Sequence, residues 1–254
     1  MLKATPIADA VDGPINLDRQ HCLDCAIRED AICSGCGTGE LETLTTAKSY
    51  RNYGPGASIV LMGEQTEFLG SMVEGVAGIS RLLADGRRQM VGLLYPGDFI
   101  GRPFSYEAPF DVVSITDVRI CAFQRSRFET FIRKMPSMEA RLLEMTLDEL
   151  DSARDWMVLL GRKTAQEKLA TFFVLAGRRT ARRLRQAPRD GLMIELPLTR
   201  EDMADFLGLT IETVSRQIGA LKKAGVIRLS DARRLSVPNW QALIDASGED
   251  GEAI

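Results

Sequence analysis

Five cysteines are the residues best equipped for chemistry in this 254-residue chain, and four of them, Cys22, Cys25, Cys33 and Cys36, crowd into one short segment. Thiolates are soft ligands, suited to zinc and to iron–sulfur clusters. Reduced intracellular thiols at this density bind metal more often than they form a disulfide framework. The two C-x2-C units are a strong zinc signal, although the seven residues between Cys25 and Cys33 are fewer than in common two-knuckle zinc sites. The fifth, Cys121, lies far off in sequence. On spacing alone, a zinc site from the four clustered cysteines and an iron–sulfur site are both open. His21, the chain's one histidine, reads as an exposed or packed side chain. With a single histidine no Ser/His/Asp constellation is visible, and the chain does not read as an enzyme.

A second set of chemically able residues lies near the other end. Glu212, Ser215 and Arg216 are spaced i, i+3, i+4, which gathers them on one helical face. Arg can grip guanine O6 and N7, Glu can accept from cytosine N4, and Ser is permissive. Glu beside DNA repels phosphate unless it meets such a donor, so its presence points to a specific C·G pair. An ordinary Glu212–Arg216 surface ion pair is the bland alternative. Arg200, Lys222 and Lys223 would anchor phosphates, which position without specifying.

These residues need elements to hold them. Residues 1–20 read as a poorly ordered arm and 21–37 as a loop built around something. Ten of the 22 glycines fall between positions 54 and 101 and punctuate short apolar runs, with Asp85-Gly86 as a hairpin signal. That pattern predicts an all-β roll, sandwich or barrel, with 21–136 as one sensory unit. In its last strand the period of two sets Cys121 opposite Val118 and Ile120. Ser126 with Glu129 has capping-box spacing for a short helix that Pro136 stops. Residues 137–163 then read as one long helix whose Leu143, Leu150, Ala153, Met157 and Leu160 form a coiled-coil-like seam for a homodimer. Asp148, Asp151 and Asp155 share helical spacing and could keep that dimer marginal by repulsion.

The remainder, 164–245, begins with a helix over 164–175, followed by a basic stretch read as helix end and loop. Thr199 and Asp202 cap a helix that ends at Gly208. A second helix follows Thr210, with Ile211, Val214, Ile218 and Leu221 inward and Gly225 closing it. An alternating pair of short strands completes a winged helix-turn-helix. Residues 246–254 read as a tail. The overall expectation is an α+β chain: β-roll sensor, long dimerisation helix and winged helix-turn-helix.

The net charge of −3 hides an asymmetry. Residues 166–240 carry 14 basic and 8 acidic side chains, a net of +6, which leaves −9 on the rest. A basic unit on an acidic one suggests a polyanion partner. No apolar run reaches the roughly 18–20 residues of a membrane helix, and the N-terminal residues show no secretory signal. A cytoplasmic protein without membrane contact is expected.

The segment TREDMADFLGLTIETVSRQIGALKKAG, with E-x-x-S-R on Glu212, Ser215 and Arg216, resembles the DNA-reading part of the Crp-FNR family of transcription regulators. GVAGISRLLADGRRQMVGLLYPGDFIG resembles the family's effector roll. The cysteine-rich start together with Cys121 is similar to the FNR-type oxygen-sensing branch. That resemblance implies a [4Fe-4S] cluster on Cys22, Cys25, Cys33 and Cys121, with Cys36 as a spare thiol or alternative ligand and zinc as the rival cofactor. It also implies an anaerobic activator that binds double-stranded DNA at a palindrome, with half-sites ~34 Å apart. RNA polymerase would be a partner, with the roll turn 85–88 as a candidate contact. Cyclic nucleotide, which related rolls bind, is not expected. No Gly-Glu step follows PGDFIG, and no Arg lies between Ser105 and Ser114 to pair with a phosphate. A thiol-redox site or a haem or nitric-oxide sensor on the same fold, or an iron–sulfur electron carrier, are the other readings.

Overall fold

A computed structural model of the protein describes residues 21–249. The expected arm over 1–20 and the end of the tail, 250–254, lie outside the described residues. A single 3-10 turn at Cys22–Asp24 opens a loop that leads into α1 (Thr38–Ala47). Eight strands follow, β1 (Lys48–Tyr53), β2 (Ser58–Val60), β3 (Phe68–Glu74), β4 (Ala77–Leu82), β5 (Arg88–Leu94), β6 (Phe99–Ile100), β7 (Asp111–Ser114) and β8 (Val118–Gln124). They form two antiparallel four-stranded sheets of order β1-β8-β3-β6 and β2-β7-β4-β5. The roll core between them includes Ile59, Phe68, Met72, Val112, Val118 and Ile120. The hairpin of β4 (Ala77–Leu82) and β5 (Arg88–Leu94) turns at Gly86, whose φ is +87°; only glycine adopts that conformation without strain.

The period of two in β8 divides its side chains as expected. Val118, Ile120 and Ala122 enter the roll core. Cys121 and Phe123 face outward, toward α1, α2 (Arg125–Lys134) and the start of α3 (Pro136–Arg162), where Leu41, Leu44, Phe128 and Met138 are fully buried. At Gly70 of β3 (Phe68–Glu74) any Cβ would collide with the Cys121 carbonyl oxygen, so β3 can lie close to β8 only as glycine there.

The capping box proposed for α2 is not formed. Gln124 is the N-cap, without a side-chain bond, and Glu129 instead accepts from the Phe104 backbone N–H and from Arg125. Pro136 does end α2, and it also opens α3, because a residue without an N–H costs nothing at a helix start. At 27 residues, α3 is ~40 Å long. Asp151 on it is paired with Arg154 at 2.8 Å within the same helix, which blunts the repulsion read from the aspartate spacing.

The C-terminal part comprises α4 (Ala165–Arg183), β9 (Leu192–Glu195), α5 (Arg200–Leu207), α6 (Ile211–Lys223), the β10–β11 hairpin (Arg228–Leu229 and Arg234–Val237) and α7 (Trp240–Ser247). Here α4 runs eight residues past the expected 175. Gly177, at the head of the basic stretch, is a packing site: a Cβ there would meet the Trp240 ring at 2.5 Å. The basic residues beyond it are good helix formers. Two elements of this part were not foreseen: β9, which pairs with β11, and α7, which runs two residues into the expected tail.

The C-terminal core is completed by the roll. Met90 is buried within it, and Leu93 and Ile115 pack against it. Arg88 pairs with Asp205 at 2.7 Å and Asp202 at 3.1 Å, both on α5, and Gln89 donates to the Asp205 carbonyl. Trp156 of α3 stacks on Phe206 with ring centroids 4.1 Å apart.

Candidate functional site

The cysteine loop is anchored by buried Ile27, Ala31 and Ile32 and by the Cys22 N–H, which donates to Thr45 on α1. It lies over one face of the first sheet. Tyr50, Cys121 and Ser71 are register partners on β1, β8 and β3, so their side chains stand in one row beneath the loop. A narrow, mostly enclosed pocket separates the two. Its walls carry Cys22, Cys25, Cys33 and Cys121 together with Met138 of α3, and do not include Cys36. The Cys36 sulfur accepts from the Ser137 hydroxyl at 3.8 Å.

Electrostatics mark the same group. Burial, and then the charges of Cys25, Cys22 and Cys36, push the Cys33 thiol up to about 12. Burial pushes the Cys121 thiol up as well, with Cys22, Cys25 and Cys33 adding to it. Crowded, desolvated thiols keep their protons until a metal takes the protons' place. Among the described residues no three His, Cys, Asp or Glu side chains close tightly enough to enclose one ion. Four thiolates on tetrahedral zinc need sulfurs about 3.8 Å apart. A four-iron cluster takes one thiolate at each iron. Four thiols on an apolar wall fit that chemistry.

The loop also reaches other elements. Asp30, between Cys25 and Cys33, accepts from Arg182 of α4 at 3.0 Å through its carboxylate, and from Arg141 of α3 at 3.1 Å through its carbonyl. In the segment after β6 (Phe99–Ile100), Phe104 sits at φ 61°. The buried Arg125 guanidinium is taken up by the Thr66 and Arg102 carbonyls and by Glu129.

The helix-turn-helix forms as its local signals predict. Thr199 and Asp202 close a capping box on α5, Gly208 ends it in the left-handed region, and Thr210 caps α6. Val214, Ile218 and Leu221 face the core, whereas Ile211 is 44% exposed and does not join them. Glu212 and Arg216 are exposed and Ser215 is half-buried. Arg216 donates to Thr213 at 3.3 Å, so the Glu212–Arg216 ion pair is not made. Backbone N–H at the helix start, followed by the Thr210 hydroxyl, holds the Glu212 carboxyl below the usual range. Arg200 donates to Ser215 at 3.1 Å, which joins the proposed phosphate anchor to the base-reading set. Lys222 and Lys223 are exposed on the last turn of α6. The wing adds two further arginines, Arg228 and Arg233, to the basic unit. Both stand exposed around the β10–β11 hairpin.

On α3, Leu143, Leu150, Ala153 and Met157 are exposed, with Leu147 beside them. Leu160 departs from the seam: it is half-buried against its own C-terminal core, because α3 has by then met α5. No helix among the described residues is long and apolar enough to cross a membrane.

Residues 167–246 match a Crp-like helix-turn-helix domain and residues 50–135 a cyclic nucleotide-binding domain. The transcriptional activator protein FnrL of Cereibacter sphaeroides is 47% identical over 91% of this chain and 94% of its own length. The nitrogen fixation regulation protein FixK of Bradyrhizobium diazoefficiens is 39% identical, covering 82% of this chain and 86% of its own. The solved structure of FixK2 from Bradyrhizobium japonicum superposes with a TM-score of 0.72 at 33% identity, over 80% of this chain and 99% of that one. A roll, a long helix and a Crp-like helix-turn-helix, with relatives this similar along most of their length, make the chain a member of the Crp-FNR family of DNA-binding transcription regulators and not an enzyme.

Proposed function

We propose that the chain is an oxygen-responsive transcriptional activator of the cytoplasm. In this reading it holds a [4Fe-4S] cluster on Cys22, Cys25, Cys33 and Cys121 under anaerobic conditions, dimerises through α3 and binds a palindromic promoter site. The observation that carries the reading is Cys121, which lines one pocket with three cysteines from the other end of the roll sequence. When bound, such a cluster supplies an oxygen-labile centre that ties the loop to the sheet.

The chain's own residues do the rest. Met138 forms part of the same pocket wall, so the packing of the loop bears directly on the first turn of α3. The exposed Leu143, Leu147, Leu150 and Met157 supply the apolar seam for a second copy. Two α6 helices then present Glu212, Ser215 and Arg216 to base edges, while Arg200, Lys222, Lys223 and the wing arginines hold phosphates. The hairpin tip 85–87 is the proposed RNA polymerase contact. Arg88 is removed from that role, since it is paired with α5. Cyclic nucleotide has no part here, for want of a Gly-Glu step and a phosphate-binding arginine in the 101–114 segment.

Anaerobic purification with iron and sulfide analysis tests the reading. Four irons and four sulfides per chain, with a visible absorption that bleaches in air, are expected. A colourless protein with one zinc per chain overturns the cluster assignment and leaves the DNA-binding function standing.

A further inference from the structure

We propose that Ser71 is a positioning residue of the cysteine pocket, its hydroxyl donating a hydrogen bond to a sulfur of the loaded centre beside Cys121. The inference rests on the cluster reading above. Ser71 is 4% exposed, and its Oγ has no hydrogen-bond partner. It lines the cavity and lies directly opposite Cys121 in the β3–β8 register. Cross-strand partners carry their Cβ atoms about 4.5–5.5 Å apart, which brings the hydroxyl within reach of a sulfur held on Cys121.

The residue type is the informative part. Leu69, two positions earlier on the same face, is fully buried and apolar, and period-two patterning calls for another apolar side chain at position 71. A buried hydroxyl without a partner is unfavourable, whereas alanine would fill the space at no such cost. The remaining polar groups on the pocket wall are thiols, Lys48 and Tyr50. Lys48 is a donor only and lies over the Tyr50 ring, and Tyr50 on β1 stands one strand farther off, with Cys121 on β8 between it and Ser71. Sulfur that carries negative charge is therefore the acceptor this hydroxyl fits, and hydrogen bonds to sulfur raise a cluster's reduction potential. The hydroxyl keeps its proton throughout; its effect is to make loss of an electron to oxygen harder.

The test compares the full-length chain with Ser71→Ala, each prepared without oxygen. Three properties are measured: the thermal midpoint of the cluster-free form, the midpoint potential of the loaded form, and the decay of its visible absorption in air-saturated buffer. The cluster-free midpoint should be equal or higher in Ser71→Ala, because an unpartnered hydroxyl has been removed. Its loaded form should show a lower potential and bleach roughly tenfold faster. Equal decay rates and potentials overturn the proposal while the cluster reading stands. A lower cluster-free midpoint assigns Ser71 a packing role and overturns it too. A wild-type chain that takes up no iron overturns the cluster reading and this proposal together.

Discussion

The contact between Arg88 and α5 allows a prediction of defined size. One guanidinium bridges two carboxylates, at 2.7 Å to Asp205 and 3.1 Å to Asp202. Fully exposed ion pairs are worth about 0.2–1 kcal/mol. Here the side chains are only 36%, 25% and 19% exposed for Arg88, Asp205 and Asp202, so solvent screens them less. That places each pair near the top of the range. Arg88→Ala should therefore cost about 1–2 kcal/mol, which for a chain of this size lowers the thermal midpoint by about 3–6 °C. A double-mutant cycle of Arg88→Ala with Asp205→Ala, read by urea unfolding, should return a coupling of about 1 kcal/mol. Asp205 suits this better than Asp202, whose carboxylate also caps α5 through Thr199. A coupling below about 0.3 kcal/mol would refute the claim that the hairpin is tied electrostatically to the helix-turn-helix. The apolar contacts of Met90 and Leu93 and the Gln89 hydrogen bond would then hold the hairpin in place.

Three further outcomes are expected. Arg216→Ala should weaken specific DNA binding by about 1–3 kcal/mol and level the difference between the cognate site and one with its guanine replaced, as measured by fluorescence anisotropy. Cys121→Ser should abolish anaerobic iron uptake, whereas Cys36→Ser should leave iron and sulfide content unchanged; the reverse pattern would place Cys36 among the ligands. The raised Cys33 thiol gives a pH dependence to the cluster-free protein. Its folded form holds the proton up to about 12 against an ordinary value of 9.0, so the unfolded chain ionises first. The contribution is complete below pH 9 and fades as pH climbs toward 12. Urea midpoints of wild type and Cys33→Ala should therefore converge across that window.

The parts of this molecule that were readable from sequence are those encoded locally. Thr199, Asp202, Gly208, Thr210 and Gly225 each act on a backbone within a few residues of themselves, so the helix-turn-helix emerged nearly as read. Contacts across long stretches of chain were another matter. The Arg88–Asp205 pair joins residues 117 positions apart, and nothing in either neighbourhood announces it. Cys121 joined the N-terminal cysteines through family resemblance, since spacing alone favours Cys36. The basic stretch read as helix end and loop stays helical to Arg183 with Gly177 packed on Trp240, a contact 63 positions long that leaves no local mark. The short α1, β9 and α7 carry little periodicity of their own and draw their stability from what they pack against.

Met90 has a consequence for how this protein can be taken apart. The DNA-reading half borrows a side chain from the sensor to finish its interior. A fragment cut at the start of α4 would leave that socket open to water, with the Arg88 partners unpaired beside it. The natural seam for transplanting either half thus lies away from the obvious boundary after α3. A graft that exchanges sensors among relatives must keep each β4–β5 hairpin together with its own α5, or reshape the two surfaces as a matched pair.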